Sequence, residues 1–395
     1  MFLQKSFLYQ NNYVRFHISP EKYIQNPIAN HTGNSLGIGS IKPSYKFGIV
    51  TTREAPKYFE ECQNILQNGH FFDKKYLFYS VYILIHILFY KLGFETIGAY
   101  LFQLLLNLLA TYLLFNLTHK ITGNNAVAFI AVILLLLTHT FQMWTVFLYT
   151  ESVFSSLVII FSYCFLVLNQ QDYRNWMLTS LVFLFLLFAR PTGVILIPVL
   201  FVYFFILFVH HKEYLKAILF SASVSIVIIL MLNYAVQRSN SFNFVQRFFE
   251  SQIICDIPIQ TITTIPATSN TLVSILEYII HNKIEFLHLA GQRFISFWGM
   301  QRPYNSRAHD LFFACYFYPV YFLGLFGSSK LFKLHKRAFV FILSTLVCFT
   351  LSVVLTCDEW SNRFNVPIIP FVMILAAIGL YFSSKKITNN HLKSN

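Results

Sequence analysis

The fold is decided by the stretch TIGAYLFQLLLNLLATYLLFNLT, residues 96–118, which contains no Asp, Glu, Lys or Arg. A helix that crosses the hydrocarbon of a bilayer needs an apolar run of this length, because it must pair every backbone polar group internally. Nine further apolar runs lie at 76–90, 126–142, 145–168, 176–189, 193–209, 217–235, 310–328, 338–356 and 366–383. The sequence therefore predicts an all-α fold, a polytopic transmembrane helical bundle with about ten hydrophobic segments, extracytoplasmic loops and interfacial helices.

The composition excludes most soluble classes. Hydrophobic residues make up 56% of the 395 residues and charged residues only 11%, whereas a soluble globular domain carries roughly 25% charged residues. Lys and Arg exceed Asp and Glu by 29 − 16 = 13, which in a membrane protein reflects cytoplasmic loops beside anionic lipid. We therefore expect contact with membrane lipids and no nucleic-acid partner. The six cysteines have no CxxC pair and no metal-ligand spacing, so they predict neither a disulfide framework nor a zinc site.

Four regions follow from the distribution of the apolar runs. Residues 1–75 form a polar N-terminal segment without a cleavable signal and lead into a first extracytoplasmic loop. Residues 76–235 form an N-terminal transmembrane module. Residues 236–308 form an extracytoplasmic loop that contains an interfacial helix. Residues 309–395 form the C-terminal transmembrane helices and a cytoplasmic tail.

The interfacial helix is predicted in HNKIEFLHLAGQRFISFWG, residues 281–299. Its spacing places apolar residues on one side, as in helices that lie in the plane of the membrane surface. These residues are Ile284, Leu287, Phe294, Ile295 and Trp298. Arg293 and Arg302 lie at the end of this helix, where they can meet lipid phosphate without any catalytic role.

Orientation follows from the basic loop SSKLFKLHKR, residues 328–337, and from the lysines of the tail. Both are predicted to be cytoplasmic, which places residues 357–365 on the extracytoplasmic side. Ten full crossings would put the first loop and the tail on the same side. We therefore expect either that one short run, 126–142 or 176–189, does not cross fully or that the N-terminal start is atypical.

The stretch TCDEWSNRFNVPIIP, residues 356–370, places charge between two apolar runs. Asp358 and Glu359 could simply snorkel to the headgroups at low cost. Arg363 is followed by two prolines, which fix the path of the chain where the last helix begins. A guanidinium held there suits two-point binding of a phosphate.

Two more charged residues lie at the ends of predicted helices. Glu151 opens the helix in LYTESVFSSLVI, where the alternative to a functional role is an acid in the first turn behind an N-cap. Arg190 stands directly before Pro191 in FARPTGVILIP. A helix break at membrane depth is tolerated mainly where it lines a cavity or is buried in protein, so Arg190 favours a functional role.

The stretch TTREAPKYFEECQNILQNGHFF, residues 51–72, predicts an amphipathic helix with Tyr58 and Ile65 facing inward. Glu54 lies one turn before Tyr58. The alternative to a functional role is that Glu54 is a solvated acid beside Arg53.

In order and spacing, these stretches resemble the polytopic glycosyltransferases of the GT-C superfamily, the bacterial branch related to protein mannosyltransferases and aminoarabinose transferases. The resemblance covers roughly residues 45–385 and rests on five stretches. They are EAPKYFEECQNILQNGHFF, LGFETIGAYLFQLLLNLLATYLLFNLTHKITGNNAVAFIAVILL, LYTESVFSSLVI, FARPTGVILIP and DEWSNRFNVPIIPFVMILAAIGL.

The resemblance implies an integral, multi-pass protein of the bacterial inner (cytoplasmic) membrane. Such a protein transfers a sugar from a polyprenyl-phosphate donor to a glycan, lipid or protein acceptor on the extracytoplasmic face, with inversion. Glu54 would be the general base. The candidates for binding the leaving lipid phosphate are Arg190, Arg302 and Arg363. The supporting residues would be Tyr58, Glu151, Asp358 and Glu359.

No metal ligand is assigned. Some GT-C relatives use a divalent metal and others do not, so a divalent metal remains open, although one acid in the first loop favours metal independence. A lipid-linked substrate transporter or flippase is the alternative function, since it also places arginines and broken helices near the membrane. Transporters usually show two halves of similar pattern, which this sequence lacks. A purely structural subunit is the third alternative.

Overall fold

The computed structural model describes residues 48–51, 54–168, 171–237, 252–255, 257, 272–302 and 304–394. These residues form helices and two isolated β-bridges, which confirms the predicted all-α class. The helices are α1 Ala55–Asn68, α2 Ser80–Lys91, α3 Glu95–Thr122, α4 Asn125–Leu137, α5 Thr150–Val167, α6 Tyr173–Ala189, α7 Leu196–His210, α8 Tyr214–Gln237, α9 Leu272–His281, α10 Lys283–Gly299, α11 Arg307–Leu334, α12 Lys336–Leu355 and α13 Ile369–Ser394. The predicted polar segment up to residue 47 and much of the predicted loop 236–308 lie outside the described residues.

Five helical segments in the described part of the chain are long and apolar enough to cross a membrane. They are α3, α5, Pro191–His210, α11 and α12. A sixth candidate is the pair formed by α4 and His139–Thr145, which is bent by 66°. At this bend Thr138 Oγ1 and Tyr316 OH both contact the Leu134 carbonyl, at 2.7 and 2.8 Å. These two hydroxyls satisfy a backbone group at the point where the helix breaks, as a bend at membrane depth requires.

Helix α2 has 12 residues and packs on α3. The Phe89 ring of α2 contacts the Phe102 ring of α3, at 5.9 Å between centroids. The neighbouring Gln103 donates hydrogen bonds to the carbonyls of Thr145 and Phe147, at 2.7 and 3.0 Å, just before α5 begins. By length, α2 falls short of a membrane span, whereas α4 with the segment after its bend is a candidate span. That 126–142 or 176–189 is the incomplete run stays a prediction.

Helix α13 is the centre of the C-terminal part of the bundle. It packs most extensively on α11, where Gly327 and Gly379 let the two backbones approach closely. A Cβ at Gly327 would lie 1.8 Å from the Leu375 carbonyl oxygen, and one at Gly379 would lie 2.0 Å from that of Leu323. Such close approach of small residues fixes the position of α13, and with it the loop that precedes this helix.

Helix α10 lies on the surface of the bundle, with Arg293 and Phe297 buried against its neighbours. Four of the five residues of the predicted apolar side are exposed, namely Ile284, Leu287, Phe294 and Ile295. This exposed apolar side agrees with the predicted interfacial helix. Arg293 points inward and donates hydrogen bonds to the carbonyls of Gln252 and Val354, at 2.8 and 3.2 Å.

A disulfide joins Cys255 to Cys357. This bond corrects the sequence prediction that the cysteines form no disulfide. The two residues are 102 positions apart, and no spacing rule could have paired them. Two backbone hydrogen bonds reinforce the link, from Cys255 N–H to Asp358 O at 2.7 Å and from Asp358 N–H to Ile253 O at 2.8 Å. Because disulfides persist in oxidising compartments, the bond supports an extracytoplasmic position for residues 357–365.

Candidate active site

Glu54 is positioned by the segment that enters α1. Val50 forms a parallel bridge with Phe147, in which the Val50 N–H donates to Val146 O at 2.8 Å and the Leu148 N–H donates to Val50 O at 3.1 Å. The helix starts immediately after Glu54 and has a proline in its first turn, where the missing N–H costs nothing. These contacts hold Glu54 beside the segment that leads into α5.

Helix α1 has the predicted amphipathic form. Tyr58 is fully buried, and Ile65 is half-buried. The helix ends at Gly69, whose φ of 75° gives the left-handed cap that glycine adopts most easily.

Glu151 and Arg190 come from helix ends that lie side by side. Glu151 is in the first turn of α5, and its side chain is 0% exposed. Thr150 makes no side-chain cap, so the N-cap alternative does not describe this helix start. Helix α6 ends at Ala189, and Arg190 takes the extended conformation that a following proline favours. Arg190 is therefore turned toward the start of α5 at the break between α6 and the next helical segment.

Arg363 lies in a tight loop before α13. Ser361 and Asn362 have φ values of 56° and 59°, which are unusual for residues other than glycine. Side-chain amides fasten this loop to the end of α10: Asn362 donates to Met300 O at 3.2 Å and Asn365 donates to Phe297 O at 3.0 Å. Backbone conformations of this kind persist only where the surroundings hold them, and they cluster at functional sites.

The structure brings these four residues into one network, which we call the carboxylate–arginine cluster: Glu54, Glu151, Arg190 and Arg363. Arg363 donates from Nη1 and Nη2 to the two oxygens of Glu54, at 2.5 and 2.9 Å. Its Nε donates to Glu151 Oε1. Arg190 Nη1 lies 3.1 Å from that same oxygen of Glu151. The carboxylate of Glu151 thus orients the guanidinium groups of Arg190 and Arg363. The guanidinium of Arg363 in turn joins Glu151 to Glu54.

The two arginines differ in how many of their donors are engaged. All three nitrogens of Arg363 meet carboxylate oxygens, and its guanidinium lies over the rings of Trp144 and Tyr149. Arg190 uses one nitrogen for Glu151 and lies over the Phe364 ring. Within the described part of the chain, Arg190 is therefore the arginine of the cluster with donors left for a ligand.

The two acids of the cluster also differ in how deeply they are buried. The side chain of Glu54 is 26% exposed, whereas that of Glu151 is 0% exposed. Lys57, which the sequence analysis did not select, pairs with Glu54 at 3.0 Å. Glu359 lies 3.9 Å from Arg363, at the limit of an ion pair. Glu54 is thus the carboxylate of the cluster that a reactant can approach most easily.

Burial by itself would raise the pKa of Glu54. The hydrogen bonds and charge of Arg363, with the charge of Lys57, outweigh burial and lower this pKa from 4.5 to about 2. Glu54 is therefore ionised at neutral pH, as a general base must be, although its affinity for a proton is low in this state.

The structure places Arg302 and Asp358 in a second, separate pair. Arg302 Nη2 lies 2.6 Å from Asp358 Oδ2, and both side chains are almost completely buried. Arg302 also donates to Ser296 Oγ at 2.9 Å and to the Glu359 carbonyl at 3.2 Å. These contacts favour a role for Arg302 in holding the loop of Arg363 against α10. Phosphate binding by Arg302 stays a prediction.

Tyr58 supports the site through packing. Its ring contacts those of Tyr79 and Tyr82, at centroid distances of 5.6 and 5.2 Å, and Lys57 Nζ lies 5.1 Å from its ring centroid. Its buried hydroxyl has no hydrogen-bond partner. No group of three or more His, Cys, Asp or Glu side chains in the described ranges could hold a metal ion.

Residues 80–235, from α2 through α8, match the family of proteins described as dolichyl-phosphate-mannose-protein mannosyltransferase. In sequence, this segment is similar to these mannosyltransferases. The match confirms the resemblance to GT-C enzymes and indicates a membrane glycosyltransferase of that type. The mannosyltransferase match contains Glu151 and Arg190 but ends before Arg363. No curated protein and no solved structure matches the chain.

Proposed function

We propose that this protein transfers a sugar from a polyprenyl-phosphate donor to a glycan, lipid or protein acceptor at the extracytoplasmic face of a bacterial cytoplasmic membrane. The observation that carries the proposal is the carboxylate–arginine cluster. It joins Glu54 of the first loop directly to Arg363 of the last loop, and it joins Arg363 to Glu151 and Arg190 of the matched segment. The mannosyltransferase match supports the reaction class, and the disulfide supports the side of the membrane.

Glu54 is the general base of this proposal. An acceptor hydroxyl is a poor nucleophile, and a carboxylate within hydrogen-bond reach takes its proton as the oxygen attacks the anomeric carbon. The bond from that carbon to the phosphate oxygen breaks, and its electron pair leaves with the lipid phosphate. A single displacement of this kind inverts the anomeric centre. The partial exposure of Glu54 makes it the best placed acid of the cluster for this step.

The arginines bind the lipid phosphate. Arg190 offers its remaining donors, while Glu151 fixes the direction of its guanidinium. Arg363 binds Glu54, so a phosphate that reaches the cluster competes with Glu54 for the same planar fork. Loss of the Arg363 hydrogen bonds raises the pKa of Glu54, because burial and the phosphate charge then act against ionisation while Lys57 alone of these two cations keeps its hydrogen bond to the carboxylate. Donor binding thus makes Glu54 a stronger base at the moment when a base is needed.

The test is to incubate the purified protein with a panel of polyprenyl-phosphate sugars and candidate acceptors and to measure the release of free polyprenyl phosphate. We expect release with at least one donor and release about 10²–10⁴ times slower with Glu54→Gln. Movement of an intact lipid-linked sugar across reconstituted vesicles, without its cleavage, would instead establish the transporter alternative.

A further inference from the structure

A cavity of about 830 Å³ lies at the end of the bundle opposite the carboxylate–arginine cluster. Its lining includes Phe165 near the end of α5, Trp176 in the first turn of α6 and Arg337 in the first turn of α12. The other end of α5 carries Glu151, and α6 ends directly before Arg190. Helix α5 has 18 residues, so it is about 27 Å long at 1.5 Å per residue. This length is close to the roughly 30 Å of a bilayer core, so the cavity lies near the opposite membrane surface.

The cavity has a basic rim. His211, His335 and Arg337 line it, together with a single acid, Glu213. Glu213 is already paired with Lys216, at 2.9 Å. Within the described ranges Arg337 has no ion-pair partner, and it lines the cavity together with Tyr203. The rim is therefore complementary to an anion.

His335 adds a directed donor to this rim. Its Nδ1 accepts a hydrogen bond from the Ala338 N–H at 3.1 Å, where it caps α12. The neutral imidazole must then carry its proton on Nε2, which can donate to an anionic oxygen.

The walls of the cavity are apolar and largely aromatic. Phe204, Leu207 and Phe208 of α7 form one wall, and Phe165 and Trp176 contribute to others. The adjoining faces of α7 and α8 expose large apolar side chains outward: Ile206, Val209, Leu215, Ile218 and Leu219. Such an arrangement, with Arg337 and imidazole donors beside aromatic rings and aliphatic side chains, fits a molecule with an anionic head and hydrocarbon chains.

We propose that this cavity binds an anionic phospholipid of the cytoplasmic leaflet, with its phosphate at Arg337, His335 and His211 and its chains along α7 and α8. We choose a lipid rather than free phosphate because most of the cavity wall is hydrophobic. A free anion would contact the polar rim but not this wall. This site is separate from the proposed transferase site, so either proposal can fail without the other.

The test is native mass spectrometry of the purified full chain in detergent, titrated with phosphatidylglycerol and with phosphatidylcholine of the same acyl chains. We expect a single tightly held phosphatidylglycerol and weaker retention of phosphatidylcholine. Arg337→Gln is expected to weaken phosphatidylglycerol binding about fivefold, the effect typical of one membrane-facing cation. Leu207→Trp keeps every charge but narrows the cavity along its α7 wall, and we expect a loss of similar size.

Lys333→Gln is the matched control, because Lys333 is an exposed cation of the same basic stretch that does not line the cavity. The proposal is overturned if Lys333→Gln and Arg337→Gln weaken binding equally, if both lipids bind alike, or if Leu207→Trp binds as wild type does. Displacement of the lipid by the same molar excess of inorganic phosphate would show that a free anion is the ligand. A dimer that Leu207→Trp disrupts would show that a second copy of the chain fills the cavity.

Discussion

Arg363 and Glu54, 309 positions apart in the chain, form a two-point ion pair with distances of 2.5 and 2.9 Å. The first described loop and the last loop of the protein are therefore joined at one guanidinium. This geometry makes Arg363 both a support for Glu54 and its competitor for a phosphate, and it determines the expected behaviour of variants at either position.

Glu54→Gln is expected to lower turnover by about 10²–10⁴, because glutamine keeps the size of the side chain but accepts no proton. Donor affinity should be kept or become tighter, since the Arg363 fork loses its anionic partner and becomes available to phosphate. Turnover and donor binding should be measured on the same preparation. Glu60→Gln, an exposed acid on the same helix, is the control. Normal turnover in Glu54→Gln would assign the base to another residue, and weaker donor binding would make Glu54 a donor-positioning group.

The pH dependence of kcat/KM reports the free enzyme. Its Glu54 has a pKa lowered to about 2, so the carboxylate is ionised throughout the range above about pH 4. The stabilisation from its ion pair is complete above the ordinary pKa of 4.5 and is lost only as the pH falls through about 2. We expect no acid limb from Glu54 between pH 5 and 8 in the wild type. In Arg363→Gln the largest source of stabilisation for the Glu54 anion is removed and its pKa rises, so the acid limb of any residual activity should move to higher pH. An unchanged profile in that variant would contradict the assignment.

Arg363→Lys is expected to reduce turnover about 10²-fold while the protein still folds. Lysine keeps the positive charge but loses the planar fork that contacts Glu54 at two points. Arg174→Lys, on an exposed part of α6, is the control for the exchange itself. Wild-type turnover in Arg363→Lys would show that the fork geometry has no role in the reaction.

Glu151→Gln should act mainly on stability. The side chain is completely buried and its carboxylate contacts two buried arginines, so its removal takes away part of the negative charge that compensates them. Arg363 keeps its ion pair with Glu54, so Arg190 is the arginine that loses its described partner. Breaking a buried pair of this kind costs about 3–5 kcal/mol. Thermal unfolding in detergent measures the loss, and Glu151→Asp should recover part of it. A Glu151→Gln protein as stable as the wild type would contradict the ion-pair geometry.

The disulfide between Cys255 and Cys357 should affect both the labelling of Cys357 and the stability of the protein. Cys357 should react with an impermeant thiol reagent only after reduction, from the extracytoplasmic side. Cys255→Ser with Cys357→Ser should lower stability by about 2–5 kcal/mol, the usual effect of removing a native disulfide. Cys315→Ser removes an exposed free thiol and is the control. Labelling of Cys357 without reduction, or from the cytoplasmic side, would overturn both the bond and the orientation.

The helices could be predicted from the sequence, but the ion pairs and the disulfide between distant residues could not. Each apolar run became helical, because uncharged runs of this kind have few other ways to pair their backbone groups. Which run crosses the membrane incompletely stays a prediction, because length and composition alone do not decide it.

Glu54, Glu151, Arg190 and Arg363 could be selected because charge is rare in this chain, but their mutual contacts depend on how α5, α6 and α13 pack. The pairing of Arg302 with Asp358 and the bond between Cys255 and Cys357 were invisible for the same reason. In both, the partners lie more than fifty positions apart.

The position of Arg363 has a consequence for biosynthesis. The loop that carries it precedes the final helix, so a ribosome must make nearly the whole chain before this arginine can reach Glu54. Until α13 has been inserted beside α11, Glu54 and Glu151 have no Arg363 to neutralise them. Under the proposed function, a prematurely terminated chain therefore lacks the complete carboxylate–arginine cluster, and the growing protein has no active site during its own insertion.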